Sequence, residues 1–132
     1  MTPADELRTA AALLRDLAER ATHENRPHWH TGHTLGSRSP VVIDHPDEPS
    51  VLIETYAARL EAVNRYVVAM APAIGTALAD WLEHTAKLAS LYADLHHAET
   101  GTPVAEPHPD GAIRNALAVA RAILHTQPEE AL

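Results

Sequence analysis

The stretch that most constrains this chain runs from Ala71 to His97, APAIGTALADWLEHTAKLASLYADLHH, a helical signal with no internal breaker after Pro72. Ile74, Leu78, Trp81, Thr85, Leu88, Tyr92 and Leu95 recur at alternating steps of four and three, which places them on one stripe of a helix. Ala77, Leu82, Ala89 and Leu91 widen it. Such a helix needs a partner along its whole length. Pro72 suits the first turn, where a missing N–H costs nothing, and Asp80 and Glu83 lie nearer the positive end than Lys87. Trp81 and Tyr92 fall on the stripe and are read as core. Where the stripe is wider than one neighbour covers, Ile74, Leu78, Trp81, Leu88, Tyr92 and Leu95 form an oligomer interface, as the four-three spacing favours.

The rest of the chain is read in order. Thr2, Pro3 and Glu6 supply a cap, a first-turn proline and an early acid, and Leu7, Ala10, Leu14, Leu17, Ala18 and Ala21 follow at helical spacing. This predicts a helix over 3–22 with an alanine-rich face, ended by HENRP because Pro27 disfavours helix before it. From His28 the period changes to alternation in HWHTGHTL, GSRSP brings turn chemistry, and VVID is β-branched. VLIETY at 51–56 completes an antiparallel β-meander over 28–56, or else Ser50 caps one helix running from Val51 to Met70. The strand is preferred, since its residues are β-branched and aromatic.

A helix over 58–70, carrying Leu60, Val63, Val67 and Met70, is then separated by Pro72 from the long helix over 72–97. AETGTPVAEPHP makes 98–109 a loop. Asp110 caps a last helix over 110–125, with Ile113, Ala116, Leu117, Ala120, Ile123 and Leu124 on one face. The expected fold is α+β and mainly helical: four helices, with a small two- or three-stranded antiparallel meander between the first and second.

A length of 132 residues predicts a single domain over 1–132. The net charge of −8 disfavours a phosphate backbone as a partner. Without cysteine there are no disulfides, thiolate zinc sites, iron–sulfur clusters or thiol nucleophiles, which fits a reducing cytoplasm. There is no apolar run of ~20 residues and no basic-then-apolar start, so a soluble cytoplasmic protein without a membrane span is expected.

The order of these signals, with Pro27 and Trp29 at the break, a short meander, NRYVVAMAPAIGTALADWLE and finally ALAVARAIL, resembles small proteins of actinobacteria and their phages. Those have a TPGPW-like turn, a hairpin and an HIAxxxPAVALAVADWL-like helix, and are distantly similar to the Ead-like phage early proteins. The likeness covers most of the chain, although ATHENRPHWH stands here in place of the glycine-proline turn. It implies a phage or prophage accessory protein and carries over no catalytic residue.

Ten histidines invite a metal reading. His28 and His30, two apart on a strand, point the same way, and His33 or His45 would complete a three-nitrogen zinc or nickel site, with Asp44 the nearby carboxylate. Against it stands the simpler reading of surface imidazoles on a polar hairpin. His96 and His97 close the long helix, where the dipole favours protonated imidazole. No GxSxG, P-loop or GxGxxG is present, so nucleophilic and nucleotide-hydrolysing chemistry lack support. The expectation is a non-enzymatic, homo-oligomeric accessory module without a cofactor, binding a host protein or a small ligand. For a nucleotide ligand, Arg26, Trp29, Arg38 and Tyr56 are the candidates. The alternatives are a histidine-ligated zinc protein, with hydrolysis as its chemistry, and a purely structural assembly protein.

Overall fold

A computed structural model describes residues 1–33, 40–55 and 59–127. It contains α1 (Pro3–Ala21), β1 (His30–Gly32), β2 (Val41–Ile43), β3 (Leu52–Ile53), α2 (Leu60–Ala69), α3 (Pro72–Thr100) and α4 (Gly111–His125). The protein is therefore α+β and mainly helical, with a three-stranded antiparallel sheet between α1 and α2. Contacts divide the chain into two compact units. The helical unit comprises Met1–Leu14 and the chain from Leu78 onward; the sheet unit comprises Arg15–Ala77.

In the helical unit, Thr2 and Asp5 cap α1 reciprocally. The Asp5 N–H donates to Thr2 Oγ1 at 3.2 Å and the Thr2 N–H donates to Asp5 Oδ2 at 3.1 Å. The core is built from Ala4, Leu7, Ala10 and Ala11 of α1, Ala79, Leu82, Ala86 and Ala89 of α3, and Ile113, Ala116, Leu117 and Ala120 of α4. Eight of these twelve residues are alanines, so the helices approach closely and little side-chain volume is held inside. On the rim, Arg121 of α4 forks onto Glu6 of α1 (2.9 and 3.4 Å) and reaches Glu106 at 3.3 Å. α3 runs three residues past the expected end at His97. It stops at Gly101, whose φ of 69° lies in the left-handed region and whose N–H donates to the His97 carbonyl at 2.7 Å.

The sheet unit is ordered β1-β2-β3, with His30 opposite Ile43, Thr31 opposite Val42, Gly32 opposite Val41, and Val42 and Ile43 opposite Ile53 and Leu52. Val41, Val42 and Ile43 are all buried, as befits the middle strand. Gly32 makes a close approach: a Cβ there would fall 2.5 Å from Ile43 Cδ1 and oblige that buried side chain to shift. α2 packs against β1 and β2, and its buried Asn64 donates from Nδ2 to the Pro40 carbonyl at 3.0 Å. Of the 51–56 segment, Leu52 and Ile53 enter the sheet as β3, and the helix from Val51 does not form. The Ser50 and Val51 N–H groups donate to Asp44 Oδ1 at 2.8 and 3.0 Å, closing the turn into a strand and leaving α2 to begin at Leu60. At the other end of this unit, the Ala73 N–H in the first turn of α3 donates to the Pro27 carbonyl at 2.9 Å.

Candidate functional site

The site is built from the faces of α3. Gly75, Ala79, Leu82, Ala86 and Ala89 are buried at steps of four, three, four and three, with Pro72 and Thr85 buried beside them. The large side chains lie on a different stripe. Ile74, Ala77, Trp81, His84, Leu88, Leu91, Leu95 and Ala98 alternate steps of three and four over the whole helix, and all eight are exposed. Trp81 is 41% exposed, Leu88 48%, Leu91 56% and Leu95 58%. This corrects the reading of Trp81 as core. The expected stripe straddles the boundary between the two faces, with Thr85 buried and Leu78 and Tyr92 half-buried, while Ile74, Trp81, Leu88 and Leu95 are left uncovered. The reason is size: an alanine-lined helix contact has no room for indole or isobutyl groups.

Trp81, Leu88, Leu91 and Leu95 form one wall of an apolar groove of about 370 Å³, with Asp110, Ala112 and Ile113 at the start of α4 lining it as well. Two of its polar groups are already engaged. Asp110 caps α4 by accepting from the Ile113 N–H at 3.0 Å, and the Thr85 hydroxyl donates to the Trp81 carbonyl at 2.8 Å. The loop leading into α4 is anchored by His108, which was not singled out from the sequence. It is 2% exposed, takes the Asp110 N–H on Nδ1 at 3.1 Å and lies against Tyr92 with ring centroids 4.8 Å apart. A histidine between two prolines immediately before a capping aspartate was the available signal. Beyond Tyr92 and Leu95, a smaller hollow of about 200 Å³ is bordered by His96 and Glu99.

Of the residues expected to bind a ligand, Arg26 and Trp29 fall in the sheet unit, and Arg38 and Tyr56 lie outside the described residues. The Arg26 guanidinium is turned onto its own unit: it holds Glu24 at 2.9 Å, the Glu48 carbonyl at 2.9 Å and Asp44 Oδ2 at 3.9 Å. Trp29 is half-buried, and its Nε1 has no partner among the described residues. Asp44 is fully enclosed. Burial pushes its pKa up, but N–H donation from Val51 and Ser50 and the charge of Arg26 outweigh this and hold the carboxyl below its ordinary value.

The four candidate metal ligands are not gathered into one centre. His28 and His33 are exposed, and His30 sits half-buried in β1. His45 accepts on Nδ1 from the N–H groups of Asp47 (3.2 Å) and Glu48 (3.0 Å), which makes it part of a turn. Among the described residues, no group of three histidines or carboxylates is placed to hold a metal ion. No described helix is by itself long and apolar enough to cross a membrane. Compared with known protein families, curated proteins and solved structures, the chain matches none.

Proposed function

We propose that this chain is a non-enzymatic binding module whose working surface is the apolar groove of the helical unit, and that it receives an apolar helical face there. The observation that carries the reading is the second stripe of α3, whose eight positions are all exposed and, apart from His84, apolar. A helix in water does not hold Trp81, Leu88, Leu91 and Leu95 outward at this spacing without cost, and exposed patches of this kind are a mark of interaction sites. Of the groove's polar groups, the Asp110 carboxylate is committed to the Ile113 N–H and the Thr85 hydroxyl to the Trp81 carbonyl. An accessory role in a phage or mobile element rests on the family resemblance alone.

The test is uptake of an anilinonaphthalene sulfonate dye by dilute protein, with Leu88→Glu as the variant. Saturable dye fluorescence that the variant loses, with its thermal melt unchanged, is the expected outcome. Dye uptake indifferent to Leu88→Glu would remove the groove as the working surface.

A further inference from the structure

The exposed stripe has a strict seven-residue period. In the helical unit it runs Trp81, His84, Leu88, Leu91, Leu95 and Ala98, at steps of three and four, over about 26 Å at ~1.5 Å per residue. That is the spacing of a coiled-coil seam, the same period by which the alanine face of α3 joins a globular core. α3 already has such a core on its alanine side. The seam therefore calls for another helix of the same period. We infer that the occupant of the groove is α3 of a second copy of this chain, crossing antiparallel, so that the protein is a two-fold symmetric dimer. The inference rests on the reading of the groove as the working surface and names its partner.

A seam of identical helices is self-complementary, as a two-fold interface requires. The flanking charges decide the direction. Along one side of the seam lie Asp80, Lys87 and Asp94; along the other lie Leu78, Thr85, Tyr92 and Glu99. A parallel pair sets the first flank of one copy against the second flank of the other, which brings Asp94 beside Glu99 of the second copy and leaves Lys87 beside Tyr92. An antiparallel pair sets the charged flank against itself. In the register that places Leu88 opposite Leu91 of the second copy, Trp81 meets Ala98 and His84 meets Leu95, a large residue against a small one at the seam's end. The same register puts Lys87 beside Asp94 of the second copy, twice by symmetry. Lys87 is the only lysine in the chain.

Analytical ultracentrifugation of the untagged full chain over a range of concentrations tests this, with circular dichroism melts to verify that each variant folds. The expected result is reversible association to twice the 14.3 kDa chain mass. Lys87→Asp and Asp94→Lys should each weaken the dimer by roughly tenfold, and combining the two restores it, because the pair is reversed and preserved. If Asp94→Lys tightens the dimer and Lys87→Asp leaves it unchanged, the copies are parallel and the inference is overturned. A chain that stays monomeric at every concentration also overturns it. If that monomer still takes up dye in a Leu88-dependent way, the groove reading survives and a helix of another protein is the occupant.

Discussion

The two units bury their residues by opposite means. In the helical unit the core is small and apolar, and its buried polar side chains are bonded: Thr85 to the Trp81 carbonyl and His108 to the Asp110 N–H. The sheet unit instead encloses Asp44 and Asn64. It also holds all three buried side-chain atoms that lack a hydrogen-bond partner among the described residues, namely Trp29 Nε1, Asp44 Oδ2 and Asn64 Oδ1. Three strands of two or three residues cannot supply a large hydrophobic core, so polar pins such as Asp44 on Ser50 and Val51 set the register. Three long helices can bring alanines together, and the large side chains are then displaced to the outside. The lesson is that the size of what is buried, rather than hydrophobicity alone, decided which residues remain available for binding.

The sharpest way to break this comparison is to exchange the roles of two leucines on α3. Leu82 is 0% exposed and Leu88 is 48% exposed, so truncation should separate them. Leu82→Ala is expected to cost about 2–5 kcal/mol through lost burial and a cavity. Leu88→Ala, measured in dilute protein, should stay within about 0.5 kcal/mol. Urea unfolding monitored by circular dichroism reads both, and equal losses would mean that the assignment of the two faces is wrong.

The sheet unit is probed next through Asp44. Removing its carboxylate strands the N–H groups of Ser50 and Val51, and Asp44→Ala should cost about 2–3 kcal/mol. The sign of the pH effect follows from its lowered pKa. A carboxyl that is more acidic folded than unfolded stabilises the fold fully above the unfolded value, near 3.8, and this contribution disappears as pH falls through the folded value. The stability gap between wild type and Asp44→Asn should therefore be constant near neutrality and narrow below pH 3.8. A gap that widens in acid would contradict the account of Asp44.

Backbone strain ranks third. Gly101 has φ of 69° and open space where a Cβ would stand, so Gly101→Ala tests conformation without a clash. It should cost about 1 kcal/mol, seen as a lowered unfolding midpoint with an unchanged slope. A neutral result would show that the end of α3 frays in solution.

Most element boundaries could be read from local chemistry. Thr2, Pro3, Pro72 and Asp110 act within a turn of their own positions, and the helices begin where those residues place them. Alternation in HWHTGHTL and the β-branched VVID and VLIETY runs point to the strands, though each is shorter than its sequence run because pairing needs a neighbour as well as a propensity. The faces of α3 were harder. Apolar residues occupy well over half of its circumference, so periodicity locates stripes without saying which one meets α1 and α4. The stripe as read holds both Trp81 and Leu82, and of these two only Leu82 is buried. Arg26 was legible as a cation near an aromatic, but Glu24, Glu48 and Asp44 engage it through a turn in which Glu24 and Asn25 take positive φ values of 49° and 58°. That turn has no glycine to announce it.

The smallest effect sharpens the contrast between a screened charge and a buried one. Arg121 is half exposed, and its fork onto Glu6, with Glu106 alongside, ties α1, α4 and the loop between α3 and α4 at the rim of the helical unit. Hydrogen bonding to Glu6 raises its already high pKa, so it remains charged at any pH at which the protein folds. Exposed ion pairs contribute about 0.2–1 kcal/mol, and Arg121→Ala should fall in that range at low salt and shrink toward zero near ~1 M salt, where screening acts over ~3 Å. Arg121→Lys should recover only part of the loss, because a lysine cannot span both Glu6 oxygens. The Asp44 side chain is buried away from solvent ions, so the cost of Asp44→Ala should change little over the same salt series. If the two costs fall together with salt, the enclosure of Asp44 is not maintained in solution, and the distinction between a pinned sheet unit and an apolar helical unit loses its physical basis.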